Sequence, residues 1–275
     1  MFKGKRVHSE LIDISLHGTL FKFVKHPKLN AFVSIGNDHD LSVWDLESLK
    51  LLYKKEGNEY AIADALIHDE YHIIASVNGT LKIYKGDEEP KVTQLPEIPL
   101  SICVHKDQLY VGTTSDKLLI YDLDTVELKC TQNQQPWVTQ LRSHDDTLYI
   151  MGNKISYNEN TVDIGHKGQI MHHYIHGNKI LTGDSSGKVI LSSYPEFTKL
   201  YEYQMGSAVV QLAIIENQDQ LSLIIGTLDP GIVIITNGEI TKIEDRAAPF
   251  IVCSQNRIIN RSNILTRQAY CDVYE

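Results

Sequence analysis

Apolar residues recur at every second position along this chain, in short runs of Val, Ile, Leu, Phe, Tyr and Thr closed off by Gly, Asn, Asp, Ser or Pro. No helical period persists for three turns, so the pattern predicts an all-β chain. The runs come in sets: a strand, a short loop, a second strand ending in a small residue, a polar tight turn, then a third strand with an aromatic or small residue near its end.

The third strands carry the repeat most plainly. They are LSVWDL around Trp44, LKIYK around Tyr84, LLIYDL around Tyr121, KISYN around Ser156, VILSS around Ser192, IVIIT around Ile235 and CDVYE around Tyr274. Successive anchors are 40, 37, 35, 36, 43 and 39 residues apart, close to the ~40–45 residues of a four-stranded propeller blade. Seven anchors predict seven antiparallel blades in a single domain spanning residues 1–275. A fourth strand follows most anchors, at Lys50 to Tyr53, Val126 to Cys130, Lys199 to Tyr203 and Ile240 to Ile243. Tyr274 lies one residue from the end of the sequence, too close for the last blade to be expected to have an outer strand of its own. The alternating segment from Lys5 to Leu11 is expected to supply it, closing the ring and pairing edge amides that an open stack would expose. The fourth blade, around Thr147 to Val162, is short and is expected to have a trimmed turn.

Two blades resemble the WD40-repeat family. His17 to Leu46 ends in Trp44-Asp45, and Gly165 to Leu191 carries Gly165-His166 and Thr182. In the family a His, a Ser or Thr, an Asp and the Trp form a hydrogen-bonded relay. The resemblance places His17, Ser34, Asp38 and Trp44 in those roles. An indole N–H only donates, and a buried imidazole and carboxylate also need partners, so a closed relay satisfies the whole set. In the fifth blade Ser186 stands at the Asp position and Ser192 at the Trp position. The remaining blades keep the strand rhythm with Tyr84 and Tyr121-Asp122 as the nearest variants.

With 26 basic and 35 acidic residues the formal net charge is −9, and no Lys/Arg run could neutralise successive phosphates. Nucleic acid is therefore not expected as a direct partner, nor is membrane insertion, since no segment approaches the ~18 apolar residues of a span. A basic peptide or protein face suits the charge. The scattered Cys103, Cys130, Cys253 and Cys271 form no CxxC pair and read as buried thiols in a reducing compartment, cytoplasmic or nuclear.

His17, Ser34 and Asp38 are the residue types of a nucleophilic triad, but no strained elbow or oxyanion hole accompanies the Ser, so no catalytic residue is assigned. His172 and His173 must point to opposite strand faces, and His176 is placed in the turn beside Gly177, so no metal site is assigned. Phosphate-cradling motifs are missing, and no cofactor is expected.

In a propeller, the second-to-third turns and inter-blade links share one rim, where WD40-like proteins commonly bind peptides. On it fall Asn37, Asp38, Asn78, Ser115, Asp116, Asp184, Ser185 and Asp229 from the turns, and Tyr60, Pro99, Trp137, Gln169 and Pro249 from the links. Trp137 has two readings: an exposed anchor of the kind enriched at binding hot spots, or a plug for the gap left by the short fourth blade. The turn residues are also favoured simply for local backbone bonding. The leading expectation is a non-enzymatic protein-interaction scaffold in a hetero-complex. Alternatives are a vesicle-tethering propeller, since Pro99 to Leu123 also resembles those of citron-homology and vacuolar sorting proteins, and a propeller hydrolase or lyase using Asp38, Asp116, Asp184 and Asp229.

Overall fold

The structure, a computed structural model, describes residues 6–12, 20–36, 39–57, 59–134, 137–217, 220–229, 231–243, 250–253, 257–262 and 269–274; for 6–12, 20–23, 36, 217, 243 and the segments from 250 onward, the backbone alone. After β1 (Arg6–Ile12), six antiparallel blades follow, each of four consecutive strands. Blade I is β2 (Leu20–Lys25), β3 (Ala31–Gly36), β4 (Leu41–Asp45) and β5 (Leu51–Lys55). Blade II is β6 (Ile62–His68), β7 (Tyr71–Ser76), β8 (Thr80–Lys85) and β9 (Lys91–Gln94). Blade III is β10 (Pro99–His105), β11 (Gln108–Thr113), β12 (Lys117–Asp122) and β13 (Leu128–Asn133). Blade IV is β14 (Gln140–His144), β15 (Thr147–Met151), β16 (Ile155–Tyr157) and β17 (Asn160–Val162). Blade V is β18 (Ile170–His176), β19 (Lys179–Asp184), β20 (Lys188–Ser193) and β21 (Lys199–Gln204). Blade VI is β22 (Val209–Asn217), β23 (Gln220–Thr227), β24 (Ile232–Thr236) and β25 (Glu239–Ile243).

The expectation of seven blades, the last completed by the N-terminal strand, is corrected here: the structure has six blades of four consecutive strands, and the remaining four-stranded sheet is a composite of the chain's two ends, in the order β1, β28 (Ala269–Tyr274), β27 (Arg257–Ser262), β26 (Phe250–Cys253). Its three C-terminal strands have no consecutive fourth, and β1 takes the outer position antiparallel to β28, with Glu10 opposite Cys271. The register shift between Arg6 and His8 falls beside Tyr274, just as shifts fall beside Trp44, Tyr121 and Ser192. Strand β26 lies between β22 and β2, so the ring closes.

Burial falls off radially, which explains the sequence pattern. Third strands are covered on both faces by neighbouring blades: Leu118, Leu119, Ile120 and Tyr121 are all buried. Every residue of the outer β13 is exposed, Cys130 included. Cys103 is buried as expected, Cys130 is not, because β13 is an outer edge; the side chains of Cys253 and Cys271 lie outside the described residues. Apolar layers fill the spaces between blades; Ile73, Leu81 and Ile83 of blade II, for example, pack with Ile102, Val104 and Leu109 of blade III. Second strands end small because the next inner strand presses on them: a Cβ on Gly112 would lie 2.5 Å from a Val138 methyl, and one on Gly183 would lie 2.4 Å from a Val209 methyl.

Blade IV is short because Asn158 and Glu159, both at positive φ (44° and 65°), make a two-residue turn after only three residues of β16. The lost volume is filled by aromatic rings. Tyr149 and Tyr157 pack with Phe197 and Tyr194 from blade V, with ring centroids 5.2–6.4 Å apart, and the Tyr149 and Tyr194 hydroxyls are 2.7 Å apart.

Candidate functional site: the rim of links and second turns

Two buried polar networks fix the blades that carry the repeat signature. In blade I the Trp44 indole N–H donates to Ser34 Oγ at 2.8 Å, with both residues buried. His17 and Asp38, the other expected members, lie outside the described residues. Replacing Ser34 by Ala leaves that indole N–H without its acceptor. Thermal or chemical unfolding is expected to show a loss of about 1–3 kcal/mol.

In blade V the sequence assignment is corrected. The acceptor is Asp184, not Ser186. His166 Nδ1 sits 3.0 Å from Asp184 Oδ2, and Nε2 sits 2.8 Å from Thr182 Oγ1. The other carboxylate oxygen accepts from the Ser186 hydroxyl at 2.7 Å, the Ser186 N–H at 2.8 Å and the Lys188 N–H at 2.9 Å. Burial opposes ionisation of Asp184, but these donors outweigh it and hold the carboxyl below the ordinary range. Burial also lowers the His166 pKa against the pull of Asp184, so the ring is neutral and donates from Nδ1. Asp184 is 0% exposed, so it belongs to the scaffold and is withdrawn from the rim surface. It reaches the buried position because it ends β19, whereas Ser186 lies in the exposed turn.

The rim itself is a strip of backbone pairs between links and turns. The first turn residue of each of four blades donates to the preceding link: Val77 to Ala61, Thr114 to Ile98, Ser185 to Gln169 and Leu228 to Ala208. The turn then accepts from the following link, Leu95 to Gly79, Gln134 to Asp116 and Met205 to Gly187. Links and second-to-third turns therefore share one rim and are locked together. Polar side chains also tie inner strands across blades: Asp64 accepts from the Ile102 N–H at 3.0 Å, and Gln140 Oε1 accepts from the His173 N–H at 3.1 Å.

On this strip Tyr60 (50%), Val77 (44%), Ile98 (51%) and Trp137 (50%) are strongly exposed. Trp137 does not plug blade IV: the rings named above do that, and Val138 is the fully buried residue next to it. Trp137 has φ of 61°, which is unusual for a bulky side chain, and its N–H is held by the Ser115 carbonyl at 3.2 Å. Ser115 is partly exposed, its Oγ 3.0 Å from Thr113 Oγ1; Asp116 is exposed, with Lys117 3.6 Å away; Gln169 is partly exposed. Asn78, Ser185 and Asp229 are exposed, whereas Pro99 is buried at the start of β10. Asn37 and Pro249 lie outside the described residues. Sequence reading missed Val77 and Ile98, although apolar residues at turn positions were the available signal.

His176 is the last residue of β18 rather than a turn residue, and His173 is engaged by Gln140, Nδ1 to Oε1 at 2.6 Å. Among the described residues no group of three or more His, Cys, Asp or Glu could hold a metal ion, and no helix is long and apolar enough to cross a membrane.

A closed ring of four-stranded antiparallel sheets with a hydrogen-bonded rim defines a β-propeller. No protein family and no curated protein matches the chain. Its fold matches 1634 solved chains, and likeness of fold does not by itself select a function. One of them, the crystal structure of the computationally designed Ika8 protein, is similar to 92% of this chain over 86% of its own length, with a TM-score of 0.65 and 18% identity.

Proposed function

We propose that this chain is a non-enzymatic protein-interaction scaffold of the WD40-like class, a subunit or adaptor of a cytoplasmic or nuclear hetero-complex that needs no cofactor. The observation that carries the reading is the strip Tyr60, Val77, Ile98 and Trp137, four large apolar side chains about half exposed on a backbone locked at both edges. Exposed aromatics on a rigid support lose little entropy on binding, which is the physical basis of a hot spot. The Ser34–Trp44 bond and the His166–Thr182–Asp184 network support the WD40-like assignment. Asp184 is saturated with donors and sealed from solvent, which removes it from the carboxylates that a hydrolase could use.

Affinity capture with mass spectrometry tests the proposal. Partners held by the wild-type chain are expected to be lost at least tenfold on Trp137→Asn, a residue that tolerates positive φ and so leaves the link intact. An unchanged set of partners would remove the rim from consideration.

A further inference from the structure

The part of the rim that bears the apolar strip also carries an excess of carboxylates. It comprises the link from Glu56 to Ala61, the turn Val77 to Gly79, the link Leu95 to Ile98, the turn Thr114 to Asp116, and Gln134 with Trp137. These described residues include Glu56, Glu59, Glu97 and Asp116 and no Lys, Arg or His. Two cations reach the sector, and both are engaged: Lys117, at its edge, by Asn133 Oδ1 at 2.7 Å and 3.6 Å from Asp116, and Lys82, from β8, by the Gly57 carbonyl at 2.9 Å. Farther round the ring the pattern breaks. Lys154 and Lys167 stand in the blade IV turn and the next link.

The sector is also continuous. Ala61 meets Val77, Gly79 meets Leu95, Ile98 meets Thr114, and Ser115 and Asp116 meet Trp137 and Gln134, each through a backbone hydrogen bond. Its apolar side chains therefore follow one another in the order Tyr60, Val77, Ile98, Trp137, with carboxylates interspersed.

We infer that this sector, from the link before blade II to the link after blade III, binds an extended peptide segment whose apolar or aromatic residues are interspersed with Lys or Arg. The inference rests on the scaffold reading and adds the ligand's chemistry. Charge decides among occupants. A second copy of this chain carries −9 and brings like charge to the strip, and nucleic acid or an anionic membrane is repelled for the same reason. A basic, apolar segment is attracted at long range and then buries apolar surface against four fixed side chains. Its rate of association is expected to fall with salt, since rim charges act mainly on encounter.

Phage-displayed random 12-residue peptides, selected on the purified full-length chain, supply the test. Enriched sequences are expected to combine Lys or Arg with aromatic or large aliphatic residues. Synthetic versions are expected to bind at least tenfold more weakly to Trp137→Asn and to Glu97→Lys/Asp116→Lys, both of which should keep the wild-type melting temperature because Trp137 and Asp116 are exposed and Glu97 is partly so. Enrichment of acidic or neutral sequences that still require Trp137 would overturn the charge inference and leave the scaffold reading standing. Peptides indifferent to all these changes, or no enrichment at all, would overturn both.

Discussion

Asp184→Ala is expected to lower the unfolding free energy by about 3–5 kcal/mol, because it strips several donors of one acceptor at once and each buried donor left unsatisfied costs about 1–3 kcal/mol. The side chains of His166 and Asp184 are both fully buried, so water cannot replace the lost carboxylate. His166 Nδ1 would lose its acceptor, and the N–H groups of Gly168, Ser186 and Lys188 would lose theirs at the same time. At roughly 2–4 °C per kcal/mol for a domain of this size, the melting temperature should fall by about 6–20 °C. Asp184→Asn keeps one acceptor oxygen and should lose less. If both variants melt with the wild type in a calorimetric scan, the network contributes nothing and its placement is wrong.

Acidification between pH 6.5 and 4 is expected to destabilise the protein, with His72 contributing the largest share. His26 Nδ1 accepts from the N–H groups of Lys28 and Leu29, which leaves Nε2–H facing the Tyr53 hydroxyl at 3.3 Å; that hydroxyl is 3.0 Å from His72 Nε2. The chain joins the β2–β3 turn and the outer strand of blade I to β7 of blade II; it requires His26 neutral, and a neutral His72 accepts the Tyr53 hydroxyl at Nε2. Burial, then Lys55 and His26, push the His72 pKa from 6.5 down to about 4.

Above pH 6.5 the folded and unfolded states are both neutral at His72, and stability is flat. Below it the unfolded chain takes up a proton that the folded chain refuses, so stability falls until the folded ring also titrates near 4. The full shift corresponds to about 3 kcal/mol, and solvent access to the partly exposed ring reduces this to about 2. His26, His105 and His166 are lowered as well, each first by burial, and act in the same direction. Denaturant midpoints across this range should drop for the wild type and drop less for His72→Gln. Equal slopes would show that His72 does not titrate as described. The lowered carboxylates, Glu202 near 2 between Lys199 and Lys188 among them, lose their contribution only below the unfolded carboxylate range, so the two windows separate.

The all-β character, the blade period and the positions of the tight turns were legible in the chain itself because each depends on local patterning. Alternation gives a strand, and a small residue closes the second strand where the next blade presses, as at Gly112 and Gly183. The pairing of Trp44 with Ser34 was legible for the same reason, since adjacent strands of one hairpin bring them together. The blade IV gap was also visible as a shortfall in residues, although nothing in its own sequence said what would fill it.

The long-range choices were decided only by tertiary structure. Ser186 looked like the relay acceptor by spacing, yet Asp184 holds the position, because burial at the end of β19 and a neutral His166 reward the residue that is sealed from water rather than the one in the turn. Trp137 had two readings of equal standing in the sequence; rings contributed by another blade, Phe197 and Tyr194, occupy the space it would have filled and leave it on the rim. The sequence by itself determined the strands and their period, because alternation and turn chemistry are short-range. Which side chains are buried, and which apolar ones face outward together, depended on blade-to-blade packing, because the residues that meet there lie far apart in the sequence, as Asp64 and Ile102 do.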